Sequence, residues 1–206
     1  AALETADLRA MLTSQIAALN TTASSALTSD QIAAMSTAQV LAFTTQQFGN
    51  LTTDQIVALT TADAAVLTSA QATSMSTEQV FALETADLAA MSTTAVRAFS
   101  SADLAAFSTD HVIALTTGQF ATLTSVQVAG LSTASMQAIE TRDLQVLSTA
   151  SLRALATDQL NALLSEQIAA LTTTSVLALS TLQINAMTSD NLASLTTLQF
   201  ATLNSV

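Results

Sequence analysis

His111 is the only histidine in a chain of 206 residues that has no cysteine. Zinc and thiol chemistry need clusters of such ligands, so neither is expected. Serine and threonine are everywhere, which makes a Ser–His–Asp arrangement formally available at His111. A hydroxyl that recurs this often carries no site information, however. Fifteen acidic residues raise the question of calcium. Calcium loops concentrate oxygen ligands around a glycine turn, whereas these acids are scattered. Asp30, Asp54 and Glu78 fall at intervals of 24 and could form a column, read here as solvated acids at helix starts. Phosphate loops, dinucleotide fingerprints and basic-aromatic stripes are all missing. The expectation is no catalytic, cofactor-binding or metal-binding residue, and a protein that is not an enzyme.

What the sequence does contain is a phase. Met35-Ser36-Thr37-Ala38-Gln39-Val40-Leu41-Ala42 is one unit of an eight-residue repeat that runs from Leu3 to Leu203 without insertion or deletion. Slot 1 is always Leu, Met, Phe or Ile, and slot 3 is always Ser or Thr. Slot 2 is usually Ser or Thr, slot 5 mostly Gln or Asp, and slot 8 mostly Ala. Slot 6 is apolar apart from Ser24, Ala64 and Ala72, the last two being only small, and slots 4 and 7 vary.

A fixed period decides the architecture. One continuous helix fails, because eight residues at 3.6 per turn rotate the apolar stripe by about 80° per octad. A β-solenoid fits poorly, since turn residues are scarce and Ala and Leu abound. A short capped helix fits best. Ser36 or Thr37 can cap it, and Ser36 with Gln39 has the spacing of a capping box. Acids such as Asp30, Glu84, Asp87 and Asp110 sit near the helix start, and Arg9, Arg97 and Arg153 near its end. That placement suits the helix dipole, with Arg142 as the exception. His111 stands in slot 5 and reads as a substitute for Gln. Slots 1 and 6 are the expected core, with slot 8 at the closest approach. So short a helix survives only by stacking on its neighbours.

The expected fold is therefore an all-α solenoid of very short helices, one per octad, with residues 1–206 as a single continuous array. Slot 8 departs from Ala at Asn50, Val66, Ser74, Thr122, Gly130, Val146, Ser194 and Thr202, and five of these eight, Asn50, Ser74, Thr122, Val146 and Ser194, are separated by multiples of 24. That spacing predicts three octads per turn, with two per turn as the alternative. Ala1-Ala2 finish a repeat and Leu203-Asn204-Ser205-Val206 begin one, so the chain reads as a fragment of something longer or as a subunit whose ends stack on others.

The net charge of −11 argues against nucleic acid and anionic membranes as partners. Apolar runs of a few residues cannot span a bilayer, so no membrane insertion is expected. The Leu-Ser-Thr-Ala-Gln-Val-Leu-Ala-Phe pattern resembles the octapeptide arrays of very long surface and adhesin-like proteins of Gram-negative bacteria. That resemblance implies an extracellular or cell-surface, structural or adhesive role. A likeness to Leu-Thr-Pro-Glu-Gln-Val helix starts in DNA-binding repeats is only a shared capping solution, since unit length and charge sign both differ. The leading expectation is a filament, sheath or stalk that self-associates end to end or laterally. The alternative is an adhesion or ligand-binding module for carbohydrate, a host surface or ice, which uses the repeated Ser/Thr columns. Exposure of the slot 3 hydroxyls discriminates between the two.

Overall fold

A computed structural model describes residues 3–203; Ala1, Ala2, Asn204, Ser205 and Val206, on which the reading of the two ends rested, lie outside the described residues. Among the described residues there are helices, turns and bends but no strand. One helix forms per octad, from α1 (Thr5–Ala10) to α25 (Thr197–Leu203). The all-α solenoid is what the repeat predicts.

Each helix starts at slot 3, and slot 2 is its N-cap. In α5 (Thr37–Leu41), Ser36 has extended φ/ψ and its side chain accepts from the Gln39 N–H. Thr37 is then the first helical residue, so the cap falls on Ser36 and not on Thr37. The Val40 N–H reaches the Ser36 carbonyl at 3.0 Å, and the Phe43 N–H reaches the Val40 carbonyl at 3.2 Å. That last bond spans three residues and tightens the helix end, where slot 1 turns extended and leads into the next cap. Where slot 2 is Leu12, Ala156 or Leu164 it has no acceptor, and only the glutamine half of the box is made, as from Leu12 N–H to Gln15 Oε1 at 2.8 Å.

By packing, the chain divides into two compact units, Ala1–Phe99 and Ser100–Val206. In the first unit, α1 to α9 each pack on the helix three places further on: α2 (Thr13–Ala17) on α5, α5 on α8 (Thr61–Val66), and α8 on α11 (Thr85–Ala90). The same rule holds within the second unit, from α13 (Ser101–Ala105) on α16 (Ser125–Gly130) to α22 (Thr173–Ala178) on α25. Three octads per turn is therefore the arrangement in both units, and two per turn is not.

The core is built from slots 1 and 6, with Phe48, Leu88, Phe120 and Leu144 among its fully buried members. The two slots face opposite ways along the stack. Slot 6 is already sealed at Leu8 and Ile16, while slot 1 is open at Leu3 (41% exposed). At the other end Met187 in slot 1 is buried and Phe200 in slot 6 is 48% exposed. Slot 1 thus packs back on the preceding turn, and slot 6 awaits the following one. Slot 8 is the close approach expected of it at Gly130, where an added Cβ would lie 2.5 Å from the Ser101 carbonyl oxygen. Gly49, in slot 7, makes an equally close approach to the Ser74 carbonyl oxygen.

Candidate functional site

The most organised chemistry in the molecule is slot 5, which sequence reasoning placed at a solvated helix start. From Gln31 onward it is buried in every octad. The Gln39 Oε1 accepts from the Ser36 N–H at 3.0 Å and closes the capping box. Its Nε2 donates to the Leu8 carbonyl at 2.8 Å and the Met11 carbonyl at 2.9 Å, one turn back. Those carbonyls lie at the corner where α1 ends and α2 begins. The Leu8 carbonyl already takes the Met11 N–H at 3.1 Å, so the amide adds a second bond there and supplies the Met11 carbonyl, which it would be costly to bury unpaired. One side chain therefore satisfies both its own helix start and the corner beneath it.

The staple repeats with the octad. Gln47 reaches the Ile16 and Leu19 carbonyls at 2.9 and 2.6 Å, and Gln55 those of Ser24 and Leu27 at 3.0 and 2.7 Å. In the second unit Gln167 reaches Met136 and Ile139 at 2.9 and 2.7 Å, and Gln199 reaches Ile168 and Leu171 at 3.0 and 2.7 Å. The partners always sit 31 and 28 residues earlier. A smaller staple runs the other way from slot 7. Asn161 Nδ2 donates to the Ala186 carbonyl at 2.8 Å, and its Oδ1 accepts from the Thr188 N–H at 3.1 Å.

His111 behaves as the Gln substitute that its slot predicts. Its Nδ1 accepts from the Ser108 N–H at 3.2 Å and lies 2.8 Å from the Ser108 hydroxyl, and its ring is tilted by 32° against Phe107 with centroids 5.4 Å apart. Asp30, Asp54 and Glu78 do form a column on α4 (Ser29–Ala33), α7 (Thr53–Val57) and α10 (Thr77–Phe81), which pack in succession. All three are exposed, and among the described residues no group of three or more His, Cys, Asp or Glu is close enough to hold a metal. The Glu78 carboxyl is held below its ordinary value, first by backbone N–H donation and then by Ser76.

Four buried slot 5 residues are carboxylates: Asp63, Asp87, Asp103 and Asp143. Asp63 and Asp103 bind their own caps, with the Thr60 and Ser100 N–H groups at 3.0 and 2.8 Å. Asp87 and Asp143 instead accept from a slot 3 hydroxyl one turn back, Thr61 at 2.8 Å and Thr117 at 2.6 Å. Burial raises both carboxyls above the ordinary value, and the threonine bond lowers them. Arg142, ion-paired to Glu140 and 4.0 Å from Asp143, lowers Asp143 further.

Slot 3 hydroxyls are not caps. None of the described ones is buried, and Thr53, Thr133 and Thr149 are among the exposed ones. The sequence signal for the staple was the persistence of an amide in slot 5 beside freely varying slots 4 and 7. Among the described residues no helix is long and apolar enough to cross a membrane.

A comparison with protein families finds the ALTTAQ repeat at residues 1–37, 32–61, 80–117, 101–133 and 136–173, well over half of the chain. No curated protein matches the sequence. These tandem matches cover most of the array, so the chain belongs to the ALTTAQ repeat family.

Proposed function

We propose that the chain is a structural element, one continuous octad array of the filament, sheath or stalk kind, at the cell surface or outside the cell. The slot 5 staple supports this reading. Each glutamine bonds the turn before it, so stacking is directional, uses the same contacts at every step and has no inherent length limit. Function then resides in length and surface rather than in a reactive site. The array self-associates, since a face that stacks on a different face builds open fibres. The net charge of −11 turns nucleic acid and anionic lipid away. Electron microscopy of the purified chain over a range of concentrations is the test. Fibres or sheets that lengthen with concentration are expected; a monodisperse monomer at the highest soluble concentration would overturn the proposal.

Exposure of the slot 3 hydroxyls favours a second reading, adhesion to or binding of carbohydrate, a host surface or ice along the Ser/Thr columns. Replacing exposed Thr53, Thr133 and Thr149 with Ala should then abolish binding to a glycan array or to ice while leaving helicity intact. Unchanged binding removes this reading.

A further inference from the structure

Slot 5 has two duties: it accepts from its own helix start and donates to the corner one turn back. Glutamine does both, whereas an ionised aspartate can only accept. Asp63 and Asp87 stand 24 residues apart on the stacked helices α8 and α11, each 1% exposed. Asp63 Oδ2 takes the Thr60 N–H at 3.0 Å and the Thr60 hydroxyl at 2.6 Å. Asp87 Oδ1 takes the Thr61 hydroxyl at 2.8 Å. The second oxygens, Asp63 Oδ1 and Asp87 Oδ2, are buried without any hydrogen bond. In the register that every staple follows, the corner before Asp87 holds the carbonyls of Ile56 and Leu59. The Ile56 carbonyl already takes the Leu59 N–H at 3.2 Å, and the amide donor that slot 5 glutamines bring to such a corner is missing at Asp87.

We propose that the Asp87 carboxyl is a proton-binding site that tightens the first unit on acidification, the neutral acid supplying the donor that glutamine supplies elsewhere. The step is proton uptake from water onto Oδ2, with no other reactant. The charge environment favours it. Helix α7, which supplies the Ile56 carbonyl, carries the exposed Asp54, α8 carries only Asp63, and α11 only Asp87 with Glu84 at its cap. Burial raises the Asp87 carboxyl, the Thr61 bond opposes this, and repulsion from Glu84 and Asp63 adds to the rise. A carboxyl raised in the folded state binds protons there before the unfolded chain does. Stability is therefore lower above the folded value and recovers as pH falls through it toward the ordinary carboxylate range. Asp143 is the internal comparison: it has the same Glu-Thr-x-Asp cap, with Arg142 where the first unit has Ala86. Its cationic neighbour favours the ionised form.

The test uses the full chain with His111→Gln, which removes the side chain that ordinarily titrates between about pH 5 and 8. In that background Asp87→Asn supplies acceptor and donor at any pH. Its Tm at about pH 7.5 should exceed the parent's by roughly 2–4 °C. The parent should gain Tm on going to about pH 5, and the variant should gain less. Carboxyl carbon NMR of the unsubstituted chain should place the Asp87 midpoint above that of exposed Asp54, which decides the matter even if the variant does not fold. A midpoint at or below that of Asp54, or a pH profile that Asp87→Asn leaves unchanged, overturns the proposal. So does a rise in the parent's Tm with calcium chloride at neutral pH that Asp87→Asn abolishes, since a cation would then fill the gap.

Discussion

A primary amide is an unusual thing to bury, and slot 5 buries one because it is uncharged, long enough to span both duties, and both donates and accepts. Gln167 accepts from the Leu164 N–H at 2.7 Å and donates to the Met136 and Ile139 carbonyls. Its loss therefore strands two buried carbonyls and the part-buried Leu164 N–H, and each buried bond left unmade costs about 1–3 kcal/mol. Gln167→Ala should destabilise the chain by about 2 kcal/mol or more in urea unfolding. Gln137→Ala, an exposed slot 7 change on α17 (Thr133–Ala138), should stay within about 0.5 kcal/mol. Equal losses at the two positions would mean that slot 5 is packing rather than bonding. Ser135, Ser151 and Ser175 show the limit of the substitution. In α19 (Thr149–Ala154) Ser148 Oγ accepts from the Ser151 N–H at 3.0 Å and lies 2.8 Å from the Ser151 hydroxyl, but that short side chain does not close the box as glutamine does.

An element of four to seven residues has almost no helical stability of its own, so its boundaries come from caps and its existence from stacking. The caps were legible, since Ser36 and Gln39 carry the box in their spacing. The core slots and the three-octad turn were legible too, because apolar residues keep phase over the whole chain and five of the eight slot 8 departures from Ala are separated by multiples of 24. Burial of slot 5 was not. Glutamine is ordinarily a surface residue, and the carbonyls that hold it lie 28 and 31 residues away, beyond any local pattern. Close approach between elements was legible only as small residues in slot 8, and it yields a contrast among the three glycines. Gly118, in α15 (Thr117–Thr122), faces open space, with Thr116 Oγ1 at 3.9 Å the nearest atom to an added Cβ. Gly118→Ala should therefore stabilise the chain by about 0.5–1 kcal/mol through helix propensity. Gly49→Ala and Gly130→Ala drive a methyl against a backbone carbonyl and should cost about 1–3 kcal/mol. Thermal melts of the three single variants check the order, and a Gly130→Ala protein as stable as Gly118→Ala would refute the contact.

Across each unit the same few contacts recur, so stability is a sum of neighbour terms rather than a property of one central core. Columns repeat after three octads, and a whole turn can leave without disturbing the rest. Deleting residues 36–59 removes α5, α6 (Thr45–Phe48) and α7, which is one full turn of the first unit. Helix α8 then follows α4 directly and takes over the place of α5 above α2, with every slot in phase. Deleting residues 36–55 removes less chain but joins slot 1 of one octad to slot 6 of another. The apolar residues on either side of that junction can no longer face one another, and the corner carbonyls lose their amides. Far-ultraviolet circular dichroism should show unchanged helicity per residue for the 24-residue deletion, with a modest fall in Tm. The 20-residue deletion should lose both helicity and cooperativity, although it takes away less. If the two deletions melt alike, the three-octad turn does not set the stability of the first unit.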